Sequence, residues 1–331
     1  MRFVLSISLL ALCLLYGMDN TAINIIQTYR TKGLEATQSI LENYLKQKDF
    51  WLEVLKDKDT DYGYYEGLEF LFVSDKSIPD LSLYAINDGH LKKINQTSAL
   101  VGKGKGNKKI EGDLTTPIGV YDITQRLGNL NQYYGPMAFA TSYPNTYDKI
   151  QKKTGYGIWI HGLPLNGNRE DLNTKGCIAI ENQTLSQYDK LIGNKKALLI
   201  TYENDFKPAT KEELAVILSD LYAWRDAWIQ NDLNTYLAFY DNDFIRYDGM
   251  RFGRFKDYKK RIFDKKEEKT ILFSDINISP YPNESGKALF KVSFMQNYSA
   301  YKNNQPTYTS NSKKELYLQL KDGKISILTE K

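Results

Sequence analysis

An apolar run followed by a helical pattern opens the chain. Residues 3–16 hold only two polar side chains, Ser6 and Ser8, and the basic Arg2 precedes them. A basic start and a short apolar run are typical of an export signal, and the run is shorter than the roughly 20 residues that a membrane span needs. We therefore predict a signal peptide over residues 1–18 and an exported protein, with an uncleaved anchor as the alternative.

Residues 19–67 predict helices with one apolar face. Apolar side chains recur there at helical spacing, namely Ile40, Leu41, Tyr44, Leu45, Trp51, Val54 and Leu55. Gly33 is expected to divide two helices. Because about 50 residues with a single apolar face cannot build a core alone, this face is expected to dock on the next domain or on a second copy of the chain, as a homodimer.

Residues 68–203 predict a β-rich domain. Short apolar runs separated by turn residues are typical of strands, and they fall at residues 68–73, 81–86, 119–123, 158–160 and 197–202. Asn87-Asp88-Gly89 is a hairpin turn signal. The clearest helical pattern in this domain covers residues 185–192.

Residues 204–331 predict a compact domain of helices followed by strands. Thr210 and Glu213 form a capping-box pattern, and apolar side chains then follow every three or four residues up to Trp228. A second helical piece covers residues 233–240. Alternating apolar positions beyond it predict antiparallel strands, around residues 290–294, 316–320 and 325–327. The fold class predicted for the whole chain is therefore α+β.

The composition is that of an ordinary globular protein. Of 331 residues, 42% are hydrophobic and 25% are charged, and the net charge is +4. So small a surplus argues against a nucleic-acid partner, and the basic runs at 259–261 and 265–266 are expected to form solvated surface. The segment Gly102-Lys103-Gly104-Lys105-Gly106 lacks the ending of a phosphate-binding loop, and we expect a mobile basic loop there.

Histidine and cysteine are scarce, which limits the chemistry. The two His are His90 and His161, and the two Cys are Cys13 and Cys177. A structural zinc site needs three or four such ligands, so we expect no metal and no cofactor. His90 follows a turn and is expected to be exposed. Cleavage of the signal would remove Cys13 and leave Cys177 as a lone thiol, a candidate for a reactive one.

His161-Gly162 and Gly176-Cys177 form the candidate catalytic group. A free thiol with a pKa of about 8.5 is only a few per cent ionised at pH 7, and an adjacent imidazole activates it. His161 ends an apolar strand pattern, and Gly176 lets the backbone turn tightly before Cys177. The amides of Gly176 and Cys177 are candidate donors for an oxyanion. On these residues alone, a structural Cys and a structural His remain the alternative.

The order and spacing of these residues resemble the L,D-transpeptidase (YkuD-type) catalytic domain. His161-Gly162 is followed by Thr174-Lys175-Gly176-Cys177-Ile178, and Thr116-Pro117-Ile118-Gly119 lies upstream. Tyr134-Gly135-Pro136 and Tyr143-Pro144-Asn145 match further landmarks of the family. The resemblance covers residues 68–203.

This resemblance implies a β-sandwich-like domain that acts on peptidoglycan peptides. It implies that Cys177 attacks the carbonyl joining meso-diaminopimelate to the terminal D-alanine, that His161 is the base, and that a backbone carbonyl near Gly162 orients the imidazole. The acyl-enzyme would then pass to water or to an amine. The candidate substrate contacts, on matching or flanking positions, are Thr116, Tyr156, Trp159 and Lys175.

The chain departs from the family pattern at two positions. Lys175 stands where the family has a His, and Ala179 stands where an Arg is often found. These changes put ordinary cross-linking in doubt and suggest an altered acyl acceptor. Lys175 either meets a substrate carboxylate or is a solvated surface residue.

The three-part arrangement is similar to that of the cell-shape L,D-carboxypeptidases of helical Gram-negative bacteria, which end in an NTF2-like domain. It implies a periplasmic enzyme, bound to membrane only through its signal, that trims muramyl tetrapeptides to tripeptides. The alternatives are an L,D-transpeptidase on the same scaffold and a catalytically idle wall-binding protein. The C-terminal domain either binds the wall or positions the catalytic domain.

Overall fold

The structure, a computed structural model, describes residues 20–167 and 172–331. The predicted signal peptide and Cys13 lie outside the described residues. Within the described residues, no helix is long and apolar enough to cross a membrane. The helices are α1 Asn20–Leu45, α2 Lys48–Leu55, α3 Thr146–Ile150, α4 Asn182–Ile192, α5 Lys211–Ile229, α6 Leu233–Leu237 and α7 Phe252–Phe263. The strands are β1 Tyr64–Tyr65, β2 Phe70–Asp75, β3 Asp80–Asn87, β4 His90–Ser98, β5 Gly119–Leu127, β6 Ala138–Thr141, β7 Trp159–His161, β8 Ile178–Ala179, β9 Ala197–Tyr202, β10 Glu268–Pro280, β11 Leu289–Lys302, β12 Gln305–Lys321 and β13 Lys324–Glu330.

Helix α1 makes up the described part of an N-terminal unit that ends at Tyr44. Gly33 takes a non-helical conformation, with φ 81° and ψ −171°, so it divides two helical halves as predicted. Several large apolar side chains of this helix are exposed, among them Ile26, Tyr29 and Leu34. The homodimer through this segment stays a prediction.

Helix α2 packs on α5 of the C-terminal domain. Leu55 is fully buried, and the ring of Trp51 stacks on that of Tyr222 with centroids 5.5 Å apart. The predicted apolar face therefore docks within the chain at this helix. The prediction of helix up to residue 67 is wrong, because the polar stretch after Leu55 offers no apolar face. Tyr64–Tyr65 instead form the edge strand β1 of the C-terminal sheet.

An eight-stranded mixed sheet forms the middle of the chain, in the order β4-β3-β2-β9-β5-β6-β7-β8. Its strands include all five predicted from apolar runs, and α4 matches the predicted helix. The hairpin between β3 and β4 turns at Asp88 and Gly89, both with positive φ, as the turn signal predicts. The short strands β7 and β8 lie next to each other at one end of the sheet.

The C-terminal domain is an antiparallel sheet, β1-β10-β11-β12-β13, whose core also includes residues of α5, α6 and α7. The predicted capping box is present: Thr210 Oγ1 accepts from the amide of Glu213, whose carboxylate accepts from the amide of Thr210. Trp224 of α5 and Phe294 of β11 are both buried in this core. The α+β fold class is confirmed.

The basic run at 259–261 is not uniformly solvated, contrary to the prediction. Lys259 is only 4% exposed, and its Nζ lies 4.3 Å from the ring centroid of Trp228. It shares the buried face of α7 with Phe255 and Phe263, which lie one turn before and after it. Charge counting overlooks this position because helical spacing, and not residue type, decides which side chains face the core. His90, by contrast, is exposed as predicted, with 59% of its side chain accessible.

The middle domain, with the eight-stranded sheet, and the C-terminal domain meet through polar and aromatic side chains. Asn145 Nδ2 donates to the hydroxyl of Tyr281 over 3.0 Å. Lys291 Nζ lies 3.1 Å from a carboxylate oxygen of Asp122, and Lys291 is 2% exposed. The domain limits at residues 68 and 204 stay predictions, but these contacts fix one domain on the other.

Candidate active site

His161 and Cys177 lie on one face of two neighbouring strands. β7 and β8 run parallel, with Ile160 opposite Ile178 and His161 opposite Ala179. Side chains at paired positions of a ladder point the same way and alternate along each strand. Ile160 and Ile178 are fully buried, so His161 and Cys177, the residue just before β8, project from the opposite face.

The backbone holds the imidazole of His161. Its Nδ1 lies 2.7 Å from the carbonyl oxygen of Gly162, and the residue is 1% exposed. A carbonyl oxygen only accepts, so Nδ1 carries the proton in the neutral ring and Nε2 carries the lone pair. The arrangement prepares Nε2 of His161 to accept a proton.

Tyr134 braces the ring of His161 from the side. Its ring is edge-on to the imidazole, with centroids 5.1 Å apart and planes at 86°, and it makes a similar contact with Trp159 at 5.3 Å. Its carbonyl also accepts from the amide of Gly162 over 2.9 Å. The sequence marks Tyr134 only as a family landmark, whereas the structure gives it a direct contact with the imidazole. Trp159 is half-buried beside it.

Asn182, at the start of α4, fixes the segment that holds His161. Its Oδ1 accepts from the amide of Leu163 over 2.9 Å, and its Nδ2 donates to the carbonyl of Leu163 over 3.0 Å. A Cβ on Gly162 would lie 2.0 Å from the same Oδ1, so a larger residue there would displace the Asn182 side chain. Sequence reasoning missed Asn182, because nothing in its local pattern shows that α4 begins beside Gly162.

The turn before Cys177 is built around Thr174. Its Oγ1 donates to the carbonyl of Cys177 over 2.6 Å and accepts from the amide of Gly176 over 3.1 Å. Gly176 has φ 130°, and a Cβ there would lie 2.9 Å from the carbonyl oxygen of Thr115, so the position requires glycine. The expectation that the Gly176 amide is an oxyanion donor needs correction, because that N–H points at Thr174.

The thiol of Cys177 is partly exposed and reaches the loop before β7. Its Sγ donates to the carbonyl oxygen of Gly157 over 3.4 Å. Tyr156, next to Gly157 in the chain, is 80% exposed, and Lys175, two residues before Cys177, is also exposed. Both side chains are therefore accessible to a substrate. Ala179 is 1% exposed, next to His161 on the paired strand.

Thr116 does not have the accessibility expected of a substrate contact. It is fully buried, and its Oγ1 accepts from the amide of Gly102 over 2.8 Å. That prediction is corrected: the side chain of Thr116 supports the loop beside the nucleophile. The resemblance marks this position but does not show where the side chain points.

Metal binding finds no support in the part of the chain that the structure describes. Those residues contain no group of three or more His, Cys, Asp and Glu side chains placed to hold an ion.

Two family models match the chain. Residues 73–195 match the L,D-transpeptidase catalytic domain. Residues 216–331 match the Cds6 C-terminal NTF2-like domain. The first match contains both His161 and Cys177, and the second covers most of the C-terminal sheet domain.

Solved structures include relatives that this chain matches over nearly their whole length. The helical cell shape determining protein Pgp2 from Campylobacter jejuni is 43% identical, with TM-score 0.80, and the match covers 86% of this chain and 99% of that one. A point mutant of that protein gives 42% identity and TM-score 0.81, over 87% and 99%. Bd1075 from Bdellovibrio bacteriovorus is 23% identical with TM-score 0.63, over 82% and 98%, and shares the fold. No curated protein matches the chain.

Proposed function

The chain belongs to the family of the helical cell shape determining protein Pgp2, and we propose that it is a periplasmic cysteine L,D-carboxypeptidase of peptidoglycan. Its proposed reaction removes the terminal D-alanine from a muramyl tetrapeptide and leaves the tripeptide. The observation that carries this proposal is the pairing of β7 with β8, which sets Cys177 and the oriented His161 on one face.

The proposed reaction begins at Cys177. Nε2 of His161 takes the thiol proton, and the thiolate attacks the carbonyl carbon between the L-centre of meso-diaminopimelate and D-alanine. The carbon–nitrogen bond breaks as the imidazolium gives its proton to the departing amine. Water, deprotonated by the same imidazole, then attacks the thioester and releases the tripeptide, which restores the thiol.

The backbone supplies the remaining catalytic groups in this proposal. The carbonyl of Gly162 keeps the His161 proton on Nδ1 and stabilises the imidazolium as positive charge develops. We assign the oxyanion contact to the amide of Cys177, because the amide of Gly176 already bonds to Thr174. A turn of Gly176 away from Thr174 would add the second donor.

Hydrolysis rather than transfer is proposed because the acceptor side of the site departs from the family pattern. Lys175 is exposed beside the nucleophile, where its charge suits a substrate carboxylate. Ala179 replaces a larger basic side chain and is buried against β7. Transfer to an amine on the same acyl-enzyme is the second candidate function, and the family model that covers residues 73–195 favours it.

The proposal is tested with the mature protein, purified disaccharide tetrapeptide and mass spectrometry, with Cys177→Ala and Lys175→Ala alongside. Loss of one D-alanine by the wild type, absent in Cys177→Ala, is the expected result. Cross-linked dimers as the main product would replace the carboxypeptidase by a transpeptidase. Turnover by Cys177→Ala at the wild-type rate would remove Cys177 as the nucleophile. Lys175→Ala is expected to raise KM, since the proposed role of this charge is in binding.

A further inference from the structure

A Gly-rich strap, residues Gly102–Lys108, connects the nucleophile segment to the C-terminal domain. At one end, Gly102 forms a bridge with Thr174, and the amide of Thr174 donates to the carbonyl of Val101 over 2.8 Å. Thr174 in turn bonds to the carbonyl of Cys177 over 2.6 Å. The strap is therefore hydrogen-bonded into the turn that presents the thiol.

The middle of the strap supports the same turn through Leu114 and Thr115. Gly104 bridges to Thr115, and its amide donates to the carbonyl of Leu114 over 3.0 Å. The carbonyl oxygen of Thr115 lies against Gly176, where a Cβ would come within 2.9 Å of it. The predicted mobile loop is instead tied down along its length.

The far end of the strap is held by one carboxylate from each domain. Glu203 of the catalytic domain accepts from the amide of Gly106 over 2.7 Å. Glu284 accepts from the amide of Asn107 over 2.8 Å, and it comes from the turn between β10 and β11 of the C-terminal domain. The side chain of Asn107 then bonds to the amide and carbonyl of Ile118, over 2.9 and 3.2 Å.

A buried cation lies beneath this end of the strap. Lys76 is 6% exposed and donates to the carbonyl of Gly106. Burial lowers the pKa of Lys76, while the charges of Glu203, Glu284 and Asp113 favour its protonated form. The two carboxylates and the ammonium each bond to the backbone of this end of the strap, and their charges favour one another.

The turn that carries Glu284 is itself ordered. Asn283 Nδ2 donates to the carbonyl of Lys287 over 2.9 Å, and its Oδ1 accepts from the hydroxyl of Ser285 over 2.6 Å. The turn thereby presents the Glu284 carboxylate to the strap without help from a ligand. Another contact of the domain boundary, Lys291 with Asp122, lies on β11 and β5 and outside this turn.

We propose that Glu284 is a positioning residue for the reaction at Cys177: the C-terminal domain acts on the catalytic centre by holding the strap against the nucleophile turn. This inference rests on the proposed function for its kinetic test. It gives the C-terminal domain a part in the chemistry in addition to any contact with the cell wall. Two of its consequences, the order of the strap and the reactivity of the Cys177 thiol, can be measured without substrate.

The test compares Glu284→Ala with Glu284→Gln, which keeps an oxygen that accepts from the Asn107 amide. Asp264→Ala is the matched control, because Asp264 pairs only locally with Lys260 on the surface, over 2.8 Å. We expect Glu284→Ala to lower kcat about tenfold with KM within about twofold, and to speed hydrogen exchange of residues 102–108. Glu284→Gln and Asp264→Ala are expected to remain within about twofold of wild type.

Three results would overturn the inference. An active wild type whose kcat is unchanged in Glu284→Ala would leave the proposed function standing and remove the positioning role. Equal losses in Glu284→Ala and Glu284→Gln that track a fall in melting temperature would show a purely structural effect. If the wild type releases no D-alanine, the proposed function fails. The positioning role is then tested by the rate at which Cys177 is alkylated in the folded protein. Equal rates in wild type and Glu284→Ala would overturn the positioning role as well.

Discussion

His161 is oriented by its own chain neighbour, since its Nδ1 lies 2.7 Å from the carbonyl oxygen of Gly162. A carboxylate partner could lose its charge in acid, but a backbone carbonyl accepts at every pH. In the neutral imidazole, the contact with this carbonyl therefore favours the tautomer with the lone pair on Nε2. It also means that the positioning of this base depends on the path of the backbone through Gly162.

Replacement of His161 is expected to separate thiol activation from folding. His161→Ala should lower kcat by about 10²- to 10⁴-fold, the usual contribution of a general base. Without the imidazole, the rate of alkylation of Cys177 should follow the ionisation of an ordinary thiol, with a midpoint at about pH 8.5. Iodoacetamide labelling of the folded protein across pH 5–10 checks this. An identical pH profile in wild type and variant would contradict the assignment of His161 as the base.

Asn182 is expected to matter through the segment Gly162–Leu163. Asn182→Ala removes both bonds to Leu163 and lets the carbonyl that orients His161 shift. We expect kcat to fall about tenfold with little change in KM, because misplacement of a catalytic group affects the chemical step most. Gln183→Ala, one residue along α4 and exposed, is the matched control. Equal kinetics in the two variants would argue that the Gly162 carbonyl holds its place without Asn182.

Local sequence patterns predicted most of the fold but could not place side chains that act across it. The alternation at Phe290, Val292 and Phe294 depends only on the period of a strand and predicts β11 correctly, although Lys291 and Ser293 between them are also buried. Cys177 and His161 could be selected because the chain has so few alternatives. Asn182 could not be found this way, because its role depends on where α4 begins relative to Gly162, a contact between elements.

The failures of prediction share one physical cause, which is tertiary contact overriding local character. Thr116 lies just before β5, where the family resemblance places it, yet its hydroxyl accepts from the amide of Gly102 in the strap. Tyr64–Tyr65 lie in the segment predicted as helix but pair with β10 of the C-terminal domain. Glu284 lies in an exposed turn with no chemical motif, and only the fold brings it to the strap.

Because Lys259 is buried, we expect the free energy of unfolding to increase as the pH rises above neutrality. Burial lowers its pKa from 10.5 to about 7, with Glu330 opposing and Lys314 and Arg246 adding to the effect. Between about pH 7 and 10.5 the unfolded chain binds more protons at this site than the folded one, so the free energy of unfolding increases with pH there. Lys259→Met should lose this increase.

Urea unfolding of wild type and Lys259→Met at pH 7 and pH 9 measures the difference. The variant should gain stability relative to wild type at pH 7 and lose part of that gain at pH 9. Lys260→Met, an exposed neighbour on α7, should show no such dependence. Curves for wild type and Lys259→Met that shift in parallel between the two pH values would contradict a lowered pKa.

Asp122 predicts the opposite pH window, in acid, at the boundary between the two domains. Burial alone would raise the pKa of its carboxyl, but Lys291 and Lys313 outweigh burial and hold it at about 2, below the ordinary 3.8. The folded state then favours the ionised form, and this stabilisation is present above about pH 4 and is lost as the pH falls through about 2. The difference corresponds to about 2 kcal/mol of unfolding free energy at neutral pH.

Asp122→Asn should therefore be less stable by about that amount at pH 7 and should approach wild type near pH 2, as urea unfolding at pH 7, 4 and 2.5 would measure. Asp264→Asn, at the exposed end of α7, serves as the control. If the loss of unfolding free energy in Asp122→Asn stays constant from pH 7 to 2.5, the ion pair with Lys291 does not set the acid limit of the fold.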